Sequence, residues 1–149
     1  MPERKTLERA AKDKREGKAP STQAGEFVRE EMEHVREGKH GARSAKQAIA
    51  IGLSKARRAG VALKPPAKGE APAKARRSAK LASAAGKRKT AAVSPRRSRA
   101  TTNALKHEGS TAASPTALSR HAKAVARKRG PAARSAAARK AARTRSRKA

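Results

Sequence analysis

The segment REGKHGARSAKQAIAIGLSKARRAG, residues 36–60, contains a helix end, a turn and a complete helix. Ser44 followed by Gln47 is a capping box, in which each side chain satisfies an orphan amide of a first turn. The spacing predicts a helix from Ser44 to about Ala59, closed by Gly60. Ala45, Ala48, Ile49, Gly52, Leu53 and Ala56 fall on one face of it at 100° per residue. That face is made mainly of small residues, so a second helix can approach closely. Arg57 and Arg58 sit in the last turn, where cations suit the helix dipole. Upstream, Gly38-Lys39-His40-Gly41-Ala42-Arg43 reads as a flexible basic turn.

Working outward, a helix capped by Ser21 or Thr22 is predicted to end at Glu37, with Gly38 just beyond. Ala24, Val28, Met32 and Val35 share its apolar side, with Phe27 at the margin. Glu26, Glu30, Glu33 and Glu37 fall opposite, as a solvated acidic face beside Arg29 and Arg36, and Glu31 interrupts the apolar side. A first, polar helix is predicted over residues 2–16, with Leu7 as its one large interior apolar residue. Arg15-Glu16-Gly17-Lys18 recurs as Arg36-Glu37-Gly38-Lys39, which suggests a helix–Gly–Ser–helix repeat.

Composition sets the wider expectation. The 149 residues carry 40 Lys+Arg against 11 Asp+Glu, a net charge of +29. Alanine supplies 37 residues, whereas Leu, Ile, Val and Phe together supply 14. So low a content of large apolar residues with so high a charge marks chains expected to be largely disordered. Residues 1–60 hold 15 cations and 9 acids; residues 61–149 hold 25 cations and 2 acids. Lys64-Pro65-Pro66 marks the boundary, because paired prolines stop a helix. The expected fold is all-α: a small helical hairpin of two to three helices over residues 1–64, marginal alone or firm as a homodimer. A largely disordered Lys/Arg/Ala-rich tail is expected over residues 65–149. Three stretches of that tail, residues 71–85, 115–129 and 131–145, are helix-prone and expected to fold when phosphates neutralise them.

Enzyme chemistry is not expected. The chain has no Cys, and its four His make no helical ligand pair. His34 and His40 can meet across the turn, but solvated histidines at a helix end are the expected reading, with no metal and no cofactor. No Gly-rich phosphate loop is present. No signal-peptide pattern and no apolar run of membrane-spanning length occur, so the expected site is the cytoplasm, at the nucleoid. One Phe and no Trp or Tyr argue against base stacking on single strands.

The cations point to nucleic acid. Candidate phosphate contacts are Lys39, Arg43, Lys46, Arg57 and Arg58 in the helical module. In the tail they are Arg76, Arg77, Arg88, Arg96, Arg97, Arg127, Arg129, Arg139 and Arg143. Ser94-Pro95-Arg96-Arg97 can form a compact turn suited to a narrow minor groove. The turn at residues 38–43 is longer than that of a helix-turn-helix, and Gln47 alone is placed to read a base edge, so phosphate and shape binding is expected over sequence reading.

The stretch from Arg15-Glu16-Gly17-Lys18 through residues 25–32 to residues 36–60 resembles an uncharacterised family of small basic proteobacterial proteins. That family is known as a domain of unknown function and is often labelled DNA-binding. The resemblance covers about residues 1–64 and implies a bacterial cytoplasmic protein; it brings no assigned site residues. The tail is similar in composition to bacterial histone-like proteins. The expected function is histone-like, largely sequence-nonspecific DNA binding in a nucleoid-associated or DNA-compacting role. The alternatives are an RNA- or ribosome-associated protein, and a protein–protein adaptor acting through the acidic helix at residues 26–37. No membrane partner is expected.

Overall fold

The computed structural model of the chain describes residues 1–88 and 94–146. Six helices occur among them: α1 (Arg4–Arg15), α2 (Pro20–Arg36), α3 (Ala45–Arg58), α4 (Ala73–Lys87), α5 (Pro95–Lys106) and α6 (Pro115–Ser146), with a 3-10 turn at Thr111–Ala113 before α6. No strand is present among the described residues, only an isolated bridge between Lys68 and Ala71. The chain divides into two compact units, Met1–Ser114 and Pro115–Ala149.

In the first unit α2 packs between α1 and α3, and α4 packs on the other side of α3. The 3-10 turn packs on both α2 and α3. Ala24 and Phe27 of α2, Ala10 of α1 and Ala56 of α3 form the centre, with Leu53, Val61 and Leu63 against them. The small-residue face of α3 is used as its sequence predicts: Ala45, Ala48, Gly52 and Ala56 are buried. Gly52 brings the backbones so close that a Cβ there would lie 2.7 Å from Cα of Val28. On the α4 side, Ala79 and Ala82 are buried, and Gly86 lies against the carbonyl of Arg57.

The hairpin with a disordered tail is therefore corrected. Residues expected to be disordered form α4, α5 and α6, and α4 completes the covering of α3 within its own chain. For α4 the physical reason lies in the core, whereas α5 and α6 have no buried residue among those described. Of the thirteen buried apolar residues described, ten are Ala, so a count of large side chains overlooks most of it. The helix-prone stretches at residues 71–85, 115–129 and 131–145 match α4 and the two limbs of α6 to within two residues at their starts. The start of α5 carried a legible signal, Ser94-Pro95, the same pair that opens α6 as Ser114-Pro115.

The repeated Arg-Glu-Gly-Lys is one helix terminus used twice. Gly17 (φ 67°) and Gly38 (φ 70°) take the left-handed conformation that glycine adopts without a steric penalty. In each, the lysine amide reaches back five residues, Lys18 N–H to the Asp13 carbonyl (2.9 Å) and Lys39 N–H to that of His34 (3.0 Å). At α3 the cap forms on Ser44, whose Oγ accepts from Gln47 N–H at 3.2 Å. Gln47 reaches one residue further back than a capping box requires, its Oε1 accepting from Arg43 N–H at 2.9 Å. α2 begins at Pro20 without a side-chain cap, so neither Ser21 nor Thr22 plays that part.

Candidate nucleic-acid interface

The placement of the acids decides which cations remain unpaired. The predicted solvated acidic face is corrected at Glu30, which is 3% exposed, and Glu31, which interrupts the apolar side, is fully buried. The neighbours of α2 explain this. Lys55 of α3 places Nζ 3.2 Å from Glu30 Oε1 and 2.7 Å from Glu31 Oε2. Glu30 Oε2 accepts the Glu3 backbone N–H at 3.1 Å. Arg9 of α1 lies 3.8 Å from Glu26. The acidic side of α2 is thus used inside the chain, against α1 and α3.

Burial raises the carboxyl pKa of Glu30, but hydrogen bonds from the Thr6 hydroxyl and the Glu3 amide, together with the Lys55 ammonium, outweigh it and hold it below the usual 4.5. The folded chain therefore takes up this proton at a lower pH than the unfolded chain. Its stabilisation is complete above the unfolded value and is lost as pH falls through the folded one. The melting temperature is expected to fall as pH drops below about 4.5. Glu30→Gln should melt lower at neutral pH and show a flatter decline in acid. Thermal circular dichroism across a pH series checks both; a parallel decline in the variant would refute the assignment.

The turn at residues 38–43 is anchored rather than free. Gly41 N–H donates to the Leu105 carbonyl (2.9 Å) and Ala42 N–H to that of Gly109 (3.0 Å). Arg36 Nε donates to the Ala113 carbonyl at 3.0 Å. His34 and His40 stand edge to face with ring centroids 5.9 Å apart. Their side chains are 13% and 14% exposed, so the solvated-histidine expectation is corrected as well. His34 Nε2 lies 2.8 Å from Glu3 Oε1, and His40 Nε2 3.1 Å from Glu31 Oε1.

The predicted phosphate contacts separate into groups. Lys39 is exposed but pairs with Glu37 (3.0 Å) and Glu3 (3.1 Å), and both acids raise its pKa, Glu37 foremost. Arg57 is buried; its Nη2 donates to the Lys64 carbonyl at 3.4 Å, and desolvation lowers its pKa. Its guanidinium is thus withdrawn from the surface. Arg76 is half-buried on α4. Arg43, Lys46, Arg58, Arg77 and Arg88 are exposed. Arg96 and Arg97 are exposed in the first turn of α5, so Ser94-Pro95-Arg96-Arg97 opens a helix instead of forming a separate turn.

Arg127, Arg129, Arg139 and Arg143 all lie exposed on α6. No family model, no curated protein and no solved structure matches the chain. Its chemistry is therefore argued from α6 itself. Residues 115–149 carry 12 Lys and Arg and no Asp or Glu. Gly130 (φ 70°, ψ 168°), followed by Pro131, breaks α6 into two limbs. None of its described residues is buried. His121, Val125 and Arg129 of the first limb and Arg134 of the second line one open hollow, so arginines from both sides of the break face a common space.

Proposed function

We propose that the chain binds duplex DNA through its phosphates, without reading base sequence. The observation that carries this reading is the segregation of charge. All 11 acids lie in residues 1–114, and Glu26, Glu30 and Glu31 of α2 contact α1, α3 and the following turn, while α6 presents exposed cations with no acid of its own. Each cation that meets a phosphate releases a condensed counterion, which supplies affinity independent of sequence. A helical limb of some fifteen residues extends about 22 Å, the rise of about six base pairs. The burial of Glu30 and Glu31 withdraws two carboxylates of the acidic helix from a basic protein partner.

The test is a fluorescence-anisotropy titration of the full chain with duplex DNA and with structured RNA across a salt series. With about ten phosphates engaged, log K against log[salt] is expected to fall with a slope of about −9 on duplex DNA. Equal affinity for structured RNA would move the assignment to an RNA-associated protein. Absence of binding to either at about 150 mM salt, where phosphate contacts still suffice for nonspecific affinity, would overturn both.

A further inference from the structure

We propose that Glu31, His34 and His40 bind one divalent transition-metal ion of the Zn2+ type. One donor atom from each of the three lies within 4.8 Å of the others. Two imidazoles and a carboxylate are a borderline donor set suited to Zn2+ and its neighbours, in contrast to the all-oxygen sets of Ca2+ and Mg2+. Tetrahedral ligands at about 2.1 Å stand roughly 3.4 Å apart. Binding an ion would require the side chains to rotate inward from the observed spacing.

The hydrogen bonds around the cluster fix the available lone pairs. His40 Nδ1 lies 3.1 Å from the Gly41 carbonyl, an acceptor only, so Nδ1 carries the proton of that bond. The lone pair of a neutral His40 is then on Nε2, which lies 3.1 Å from Glu31 Oε1. His34 Nε2 lies 2.8 Å from Glu3 Oε1, a carboxylate that accepts, which leaves the lone pair on Nδ1. A histidine with one nitrogen held by a carboxylate is the usual oriented metal ligand.

Glu31 provides the second, independent observation. Its side chain is 1% exposed, yet neither oxygen accepts a hydrogen bond of ordinary direction. Lys55 Nζ, 2.7 Å from Oε2, is an ion-pair contact and leaves Oε1 directed at His40. The charges facing the cluster are Glu3 and Lys39 at its outer side and Glu30 and Lys55 beneath it. The acids there are local exceptions in a strongly cationic chain. A bound ion would tie the last turn of α2 to the turn at residues 38–43, and so to the Leu105 and Gly109 carbonyls that this turn engages. The proposal does not rest on the nucleic-acid reading, and its test contains no nucleic acid.

The experiment is calorimetric titration of the full chain, stripped with chelator, with ZnCl2 at about neutral pH. One ion per chain is expected, with affinity weakening in acid because the imidazoles must be deprotonated to ligate. His34→Ala and His40→Ala are each expected to weaken binding about 100-fold or abolish it, since each removes one of three ligands. His107→Ala and His121→Ala should leave it unchanged. Zinc should also shift the ring resonances of His34 and His40 in the unaltered chain and leave those of His107 and His121 in place, a readout that needs no variant to fold. No heat, resonance shifts at His107 or His121 instead, or binding that survives His40→Ala would each overturn the site.

Discussion

Converting Arg127, Arg129, Arg139 and Arg143 of α6 together to glutamine is expected to make DNA binding markedly less sensitive to salt. All four side chains are exposed, and none is in an ion pair among the described residues. Glutamine is nearly as good a helix former as arginine, so the helix should persist. Each phosphate contact contributes about 0.9 to the salt slope, so the slope should shrink by about 3 to 4. Between 50 and 200 mM salt the unaltered chain should then lose on the order of 100-fold more affinity than the variant. Anisotropy titrations of both proteins over that range measure the difference, and circular dichroism confirms equal helicity. Identical slopes would show that none of these four arginines meets a phosphate and would overturn their assigned role.

The largest effect on stability is expected at Glu31. Its carboxylate is buried with Lys55 2.7 Å away and His40 3.1 Å away. Glu31→Ala deletes the partner of the Lys55 ammonium, removes the carboxylate beside His40 and leaves a cavity where it stood. Breaking a buried ion pair from one side costs about 3–5 kcal/mol. Lys55 keeps Glu30 at 3.2 Å, which places the expected loss at the lower end, near 3 kcal/mol. For a unit of this size that lowers the melting temperature by roughly 12 °C or more. Thermal unfolding in excess chelator measures this apart from any bound metal. A loss of about 0.5 kcal/mol or less, the usual size of a surface substitution, would show that Glu31 is solvated in solution.

Residues whose role is set by local chemistry were readable from the sequence. Ser44 and Gln47 announce the start of α3, and Gly17, Gly38 and Gly60 announce three helix ends, because caps and left-handed turns depend on a few adjacent residues. The buried face of α3 was legible from its 3.6-residue period. What was not legible depended on partners distant in sequence. Glu30 and Glu31 read as surface or as an interruption until Lys55, twenty-five residues from Glu30, is brought beneath them. His34 and His40 read as solvated until Glu3 and Glu31 close around them. Arg57 read as a phosphate contact until α4 and the Lys64 carbonyl covered it. The second half of the chain read as a tail because alanine was counted as filler. Helices that meet through Ala and Gly come close enough to bury their surface with few large side chains, and Ala79, Ala82, Ala112 and Ala113 extend this packing into residues 65–114.

The alanine core also shapes how the fold responds to temperature. Heat capacity of unfolding scales with the apolar surface newly exposed to water. A centre in which Phe27, Met32 and Val35 are the only buried apolar side chains larger than alanine among the described residues exposes little such surface per residue. The stability curve of the chain is therefore expected to be broad and shallow, changing slowly between cold and warm.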